Sequence, residues 1–345
     1  MRILIVATSP KTRGGITSLL KLVRRSELWD KYSCFWLSTH RDSSVIIKIA
    51  YFVRAFILFH VLLPFYDIVH INFSFGFSIH RKYILFRIAN FFRKKIVIHL
   101  HCGNQLEQFW DKKYDYMFRN TDHAIVLSQG IKEIVLSKVG AEYAEKISVL
   151  YNPCPDIKVM SKGDIPNILF LGRIVKDKGY KELITAFSSV YKRHPEWTLT
   201  ICGAGEIKAA KDLCVENKCK GSVSFPGWIS GDEKNQYFSN SSILCLPSYA
   251  EGFPVCILEA WSANVPVIAT PVGAVPELLQ DGINGLFVPP ADVKSLEDAI
   301  EKLISEPEFR KTLSENAGYL AKTKLSEEVF ISSLDRIYSS VLSSK

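Results

Sequence analysis

Glu251-Gly252-Phe253-Pro254-Val255-Cys256-Ile257-Leu258-Glu259 is the stretch on which the reading of this chain turns. The apolar run Ile243 to Pro247 precedes it and reads as a buried parallel strand. Pro254 suits the first turn of a helix, where its missing N–H costs nothing. The segment therefore reads as strand, glycine-containing loop, helix. Glu251 falls in the loop and Glu259 within the first two helical turns. Loops at the carboxyl ends of parallel strands are where open α/β sheets bind ligands. Two carboxylates aimed at one crevice can hydrogen-bond hydroxyl groups, in which sugars are dense. Glu259 alone reads equally well as an exposed helix residue; the nine-residue arrangement is what points to a ligand.

The same alternation extends outward in both directions. Ile3–Ala7, Ile68–Asn72, Ile96–His101, His123–Leu127 and Ser148–Tyr151 read as strands in the first half. Ile168–Gly172, Thr198–Cys202, Ser222–Phe225, Ile243–Pro247 and Val267–Thr270 read as strands in the second, with Leu286–Val288 a candidate for a short sixth. Helical stretches such as Lys181–Arg193 and Ser295–Ser305 lie between them. Strands alternating with helices predict parallel sheets covered on both faces. Two such sets predict two doubly wound α/β domains, spanning 1–160 and 161–326. The Pro-rich stretch Asn152–Pro166 is the expected linker. The tail 327–345 carries an apolar stripe at Val329, Phe330, Leu334, Ile337 and Val341, the pattern of a closing amphipathic helix. It is expected to return to the first domain.

At 345 residues, two domains are the prior. Net charge is +8 and unevenly spread. Residues 1–160 hold 23 Lys and Arg against 12 Asp and Glu, a net of +11, and the remainder nets −3. A basic first half predicts an anionic partner there, such as a phospholipid surface or a lipid-linked phosphate. No nucleic-acid-binding module accompanies the charge, so nucleic acid is not an expected partner. Ile79–Lys95 interleaves aromatics with Arg and Lys, which suits an interfacial helix on an anionic membrane. Val45–Leu63 is nearly all apolar, but Lys48, Arg54 and His60 argue against a transmembrane span. Eight cysteines without a CxxC pair suggest reduced thiols in a cytosolic protein, and no metal-ligand spacing is present. Met1–Thr8 is too short for a signal-peptide core.

Three further groups carry chemistry. Gly14-Gly15 closes the first strand's loop and opens the helical run Ile16–Arg25, where free backbone N–H groups can meet an anion. Gly172-Arg173 and Lys178-Gly179 follow the strand at Ile168; a guanidinium and an ammonium at a strand mouth can neutralise a diphosphate. His99 and His101 share one face of a strand, and His101 stands at its carboxyl end, within reach of a sugar hydroxyl. His99 reads more readily as a core residue, and which of the two faces a sugar stays open. No Ser-His-Asp order or activated cysteine emerges.

Together these residues resemble glycosyltransferase family 4, retaining enzymes of the GT-B fold, over most of the chain and most specifically from Ile168 to Pro290. The E-x7-E element matches Glu251 through Glu259. The G-R-x-x-x-x-K-G element matches Gly172-Arg173 and Lys178-Gly179. Gly273-Ala274-Val275-Pro276-Glu277 and Asp281-Gly282-Ile283-Asn284-Gly285-Leu286 are also typical, as are Gly14-Gly15 and His101-Cys102-Gly103. A cysteine separates His101 from the glycine that commonly follows directly. The resemblance implies two Rossmann-like domains facing a cleft, the first binding acceptor and the second a nucleotide-diphosphate sugar. It implies UDP-sugar ahead of GDP-sugar, with no metal and no other cofactor. Arg173 and Lys178 would hold the diphosphate, with Gly172 at the strand mouth and Gly15 against the phosphate. Glu259 would hold the ribose, and Glu251 the donor sugar with the backbone of Gly252, Phe253, Pro254 and Val255. His101 would touch the sugar near the reacting carbon. Such a hexosyltransferase would serve bacterial surface polysaccharide or lipopolysaccharide assembly at the inner face of the cell membrane, on a glycan or lipid-linked acceptor. A non-catalytic nucleotide-sugar or glycan binder and a nucleotide-sugar epimerase are the rival readings.

Overall fold

The computed structural model describes residues 1–343 apart from 13, 104, 105, 158, 159 and 162. Three positions of the expected linker and the last two of the 327–345 tail thus lie outside the described residues. The chain divides into two compact units. One comprises Met1–Asn152 with Glu327–Lys345, the other Pro153–Ser326. The chain therefore leaves the first unit once and returns to it at the end.

The first unit is built on six parallel strands: β1 (Ile3–Ala7), β2 (Phe35–Ser38), β3 (Ile68–Phe73), β4 (Lys95–Leu100), β5 (His123–Val126) and β6 (Ile147–Val149), in the order β2-β1-β3-β4-β5-β6. The order reverses at β1, which pairs with β2 on one side and β3 on the other. All five residues of β1 are fully buried, as expected for a parallel strand covered on both faces. On one face Ile3, Ile5, Ile68, Val97 and Ile125 meet Leu20 and Val23 of the helix Gly15–Arg25. The helix Glu327–Ser343 completes that core with Phe330, Leu334, Ile337, Tyr338 and Val341. Its side chains are spaced three and four apart, so one stripe faces inward. Lys31 and Tyr32 also bond its Asp335.

The strand β2 was not anticipated from the sequence. It has four residues at the sheet edge, and only Leu37 is buried. The helix expected over Ile79–Lys95 runs from Phe77 to Phe91, and Lys95 opens β4. It is not wholly interfacial: Lys82 and Phe86 are buried, while Phe77, Ile84, Arg87 and Phe91 face outward.

The second unit holds β7 (Asn167–Leu171), β8 (Thr198–Cys202), β9 (Val223–Gly227), β10 (Ile243–Leu246), β11 (Val267–Ala269) and β12 (Leu286–Phe287), also all parallel. Their order is β12-β11-β10-β7-β8-β9. The reversal falls between β7 and β10, which pair directly. Ligands of doubly wound sheets bind beyond the carboxyl ends at such a reversal. The segments Gly172–Gly179 and Pro247–Pro254 occupy that place.

Candidate functional site

Beyond β7 the chain is held down by backbone bonds. Gly172 N–H donates to Cys202 O at 3.0 Å and Ile174 N–H to Ala204 O at 2.9 Å. A short turn at Lys176–Lys178 then leads to Gly179, whose φ of 68° is left-handed. A Cβ there would stand 2.0 Å from Pro247 O, so only glycine lets the helix Tyr180–Tyr191 start against the end of β10. Tyr249 reinforces the junction: its N–H reaches Asp177 O at 2.9 Å and its hydroxyl reaches Glu182 at 2.7 Å.

This clamp delivers Lys178 to Glu251. The ammonium lies 2.6 Å from Glu251 Oε1 and 3.3 Å from Ala250 O. Ser248 Oγ donates to the same carboxylate oxygen at 2.7 Å. The pair is largely withdrawn from water, with 17% of the lysine and 11% of the glutamate side chain exposed. The loop carrying Glu251 is fixed from behind by Ala274 N–H to Gly252 O at 3.0 Å. Arg173 differs: its side chain is exposed, and among the described residues it has no hydrogen-bond or ion-pair partner.

The helix following this loop spans Val255–Ser262, with Pro254 as its N-cap, one position earlier than the first turn expected. Glu259, its fifth residue, is buried and forms an ion pair with Lys234 of the helix Asp232–Ser239. Burial raises the Glu259 carboxyl above its usual range, and Lys234 opposes the rise. Cys256, the second residue of that helix, lies between Glu251 and Glu259 in the chain. Its thiol is pushed well up by burial, then by Glu251 and Glu259, against the pull of Lys178 and Lys234. Phe253 and Val255 frame this turn. The result is two acid–base pairs about one helix, with Arg173 at the adjoining strand mouth.

In the first unit, Gly14 and Gly15 stand at the mouth of β1. A Cβ on Gly15 would meet no described atom within 4 Å, so packing does not require glycine there. His101 follows β4; its N–H donates to Phe73 O at 2.8 Å. Its Nε2 lies 2.9 Å from Asn72 Oδ1. With that oxygen accepting, Nε2 carries the proton and Nδ1 presents a lone pair. His99 is buried beneath it, ring centroids 3.9 Å apart, and stacks on His70. His70 Nδ1 meets the Tyr338 hydroxyl at 2.6 Å. Burial holds His101 and His70 down to about 3 and His99 well below its ordinary value. All three are neutral imidazoles at physiological pH.

Residues 157–318 match the family model of glycosyl transferases group 1. The match covers both β7–β10 loops and both acid–base pairs. Among curated relatives, an uncharacterised glycosyltransferase of Methanocaldococcus jannaschii is 29% identical over 210 residues, 56% of this chain and 53% of that one. A lipopolysaccharide core biosynthesis glycosyltransferase, LpsE of Rhizobium meliloti, is 30% identical over 57% of this chain and 58% of its own. The alignments thus span little more than half the length of these relatives. Among solved structures, Anabaena HepE in complex with UDP is similar over 99% of this chain and 100% of its own, with TM-score 0.79 at 20% identity. The two parallel six-stranded sheets are those of GT-B glycosyltransferase structures.

Within this glycosyl transferases group 1 region the structure brings together Lys178, Glu251 and Glu259, and leaves Arg173 and Gly172 at the adjoining strand mouth. Two participants escaped the sequence reading. Lys234 sits on a polar helix with nothing in its spacing to distinguish it. Ser248 was accessible to inspection as the polar residue directly after Pro247.

Proposed function

We propose that this chain is a retaining glycosyltransferase that moves a hexose from a nucleotide-diphosphate sugar to an acceptor hydroxyl. The observation that carries the proposal is the pairing Lys178–Glu251 and Lys234–Glu259 about one helix, with Arg173, unpaired among the described residues, at the adjoining strand mouth. A departing diphosphate develops negative charge, and fixed cations placed there lower the barrier most. Arg173 meets it without first giving up a partner. Lys178 turns from Glu251 to the phosphate, which frees the Glu251 carboxylate to accept from the donor sugar. Glu259 stays anchored by Lys234 and receives the ribose hydroxyls. His101, neutral, offers Nδ1 to a hydroxyl of the sugar and does not act as a cationic acid. These protein cations supply the charge that a metal would otherwise bring, so the transfer is taken as metal-independent. A front-side course follows, in which the leaving phosphate accepts the acceptor's proton.

UDP-sugar is the preferred donor over GDP-sugar, a choice supported by the UDP bound in the similarly folded HepE. The acceptor is a lipid-linked or surface glycan in polysaccharide or lipopolysaccharide assembly, in keeping with what the relatives' names describe. The protein works on the cytoplasmic side, peripherally on the membrane. The helix Val45–Leu62 supports this: Ala55 and Phe59 pack inward while Ile46, Ile49, Val53, Ile57 and Val61 stand exposed. By length and composition the stretch Val45–Phe65 would also suffice to cross a membrane. Its inward packing favours lying in the interface.

The test is a thermal-shift and hydrolysis screen against UDP-, GDP-, ADP- and dTDP-sugars without added metal. Stabilisation by one donor with slow diphosphate release is expected. Silence with all four would overturn the donor-site reading.

A further inference from the structure

Lys82 is the one lysine of the helix Phe77–Phe91, and it is 1% exposed. Its ammonium reaches Thr39 Oγ1 at 2.5 Å. Thr39 in turn donates that hydroxyl to Ala7 O at 3.0 Å, which places the lysine at the carboxyl ends of β1 and β2. Among the described residues no carboxylate pairs with it. A buried cation costs several kcal/mol unless an anion answers it, so an unanswered one needs a reason. The surroundings make the deficit larger. Burial first, and then the charge of Arg81, lower the proton affinity of both Lys82 and His40. Among the described residues Arg81 Nε is buried without a hydrogen-bond partner, as is His40 Nδ1. Lys48 adds a further positive charge on His40; among the described residues the acid acting on it is Asp42, a largely exposed residue 3.3 Å from His40 Nε2. Ser9 N–H donates to His40 O at 2.7 Å, tying the cluster to the loop that carries Gly14 and Gly15.

We infer that Thr39, His40, Arg81 and Lys82 form a binding site for a phosphate group. The donors suit a tetrahedral anion: a point charge from Lys82 and the Nε–H of the Arg81 fork, with the Thr39 hydroxyl holding the lysine in place; His40, whose Nε2 faces Asp42, donates from Nδ1 once the anion's charge draws a second proton onto its ring. A phosphate dianion would answer both Arg81 and Lys82, which a single carboxylate would not. The site lies at the reversal of strand order in its sheet, where doubly wound sheets take ligands. Lys48, Arg81 and Lys82 all come from the two helices whose outer faces are apolar. A phosphate carried by a lipid and a free phosphate share the same recognition chemistry. Only where the phosphate belongs to the acceptor does the inference rest on the proposed function.

The test is calorimetric titration of the full chain at low salt with inorganic phosphate, with pyrophosphate, and with phosphatidylcholine vesicles carrying hexadecyl phosphate. Saturable binding is expected, weakened at least tenfold in Lys82→Met, whose melting temperature should hold or rise. Lys82 is 1% exposed, so its removal leaves the surface charge facing the vesicle nearly unchanged. Arg81→Gln is the second variant, for use if Lys82→Met fails to fold, with the same weakening expected. A response to inorganic phosphate identifies a free-anion site, and a response to hexadecyl phosphate alone identifies a lipid-borne one. No saturable response from the wild type, or unchanged binding in the folded variants, overturns the inference. Binding of UDP is followed in parallel. Phosphate binding with no response to UDP, nor to GDP, ADP or dTDP in the same titration, would sink the proposed function and leave this site standing; the reverse would do the opposite.

Discussion

Glu259 and Lys234 show what a single buried pair asks of the site. Replacing Glu259 by Ala leaves Lys234 without its anion, and a stability loss of about 1–3 kcal/mol is expected, measured by chemical denaturation. Lys178→Ala should behave differently. Glu251 keeps its bond from Ser248, so stability should change little while kcat drops about 10²–10³-fold. An unchanged kcat in Lys178→Ala would count against a transition-state role for Lys178. The buried imidazoles give a pH signature. The His70 ring titrates near 6.5 when unfolded and at about 3 when folded. Its folded value is depressed, so the unfolded chain takes up the proton first. Stability is therefore intact above pH 6.5 and falls as pH drops toward 3. At pH 5 this one ring should cost about 2 kcal/mol. His70→Gln should flatten the dependence of melting temperature on pH between 7.5 and 5. At this scale the sequence offered Lys178, Glu251 and Glu259 as candidates through spacing together with the family resemblance, and the structure places Lys178 on Glu251. The sequence could not disclose Lys234 or the burial of Lys82, because both arise from how distant helices pack.

Among elements, the loops beyond β7 and β10 act as one piece. Gly179→Ala would press a Cβ into Pro247 O and force a left-handed φ on a residue with a side chain. A cost of at least about 2 kcal/mol is expected, with Lys178 displaced from Glu251 and activity lost along with stability. Gly15→Ala separates the two effects. No described atom opposes the added methyl, and the residue opens a helix. Stability should stay within about 0.5 kcal/mol of the parent, while donor binding weakens measurably by calorimetry. If Gly15→Ala binds donor normally, that loop does not approach the phosphate. The outward apolar face of Val45–Leu62 makes its own claim: Ile49→Glu with Ile57→Glu should abolish flotation with phosphatidylglycerol vesicles without unfolding the protein. The long buried strands were legible because uninterrupted apolar runs have few other uses. The edge strand β2 was not, since four residues with one buried side chain carry too little pattern.

At the scale of the whole molecule, the two sheets were readable from alternation of strand and helix, and the returning helix from its stripe. Its dependence on the rest was not readable, because Tyr338 meets His70 across 268 positions of sequence. Leu334→Ala, in the middle of the inward stripe, should destabilise the first unit by about 2–5 kcal/mol. A separate, earlier unfolding transition in calorimetry would report it.

The returning helix also sets an order of events at the ribosome. The first six strands emerge long before Phe330, Leu334 and Tyr338 exist, and one face of their sheet must wait uncovered. At about 5–20 residues per second, the interval is on the order of ten seconds or more. The second unit is contiguous and can fold within that time. The part of the chain made first is thus finished last, and during synthesis its open face is the stretch most in need of a chaperone.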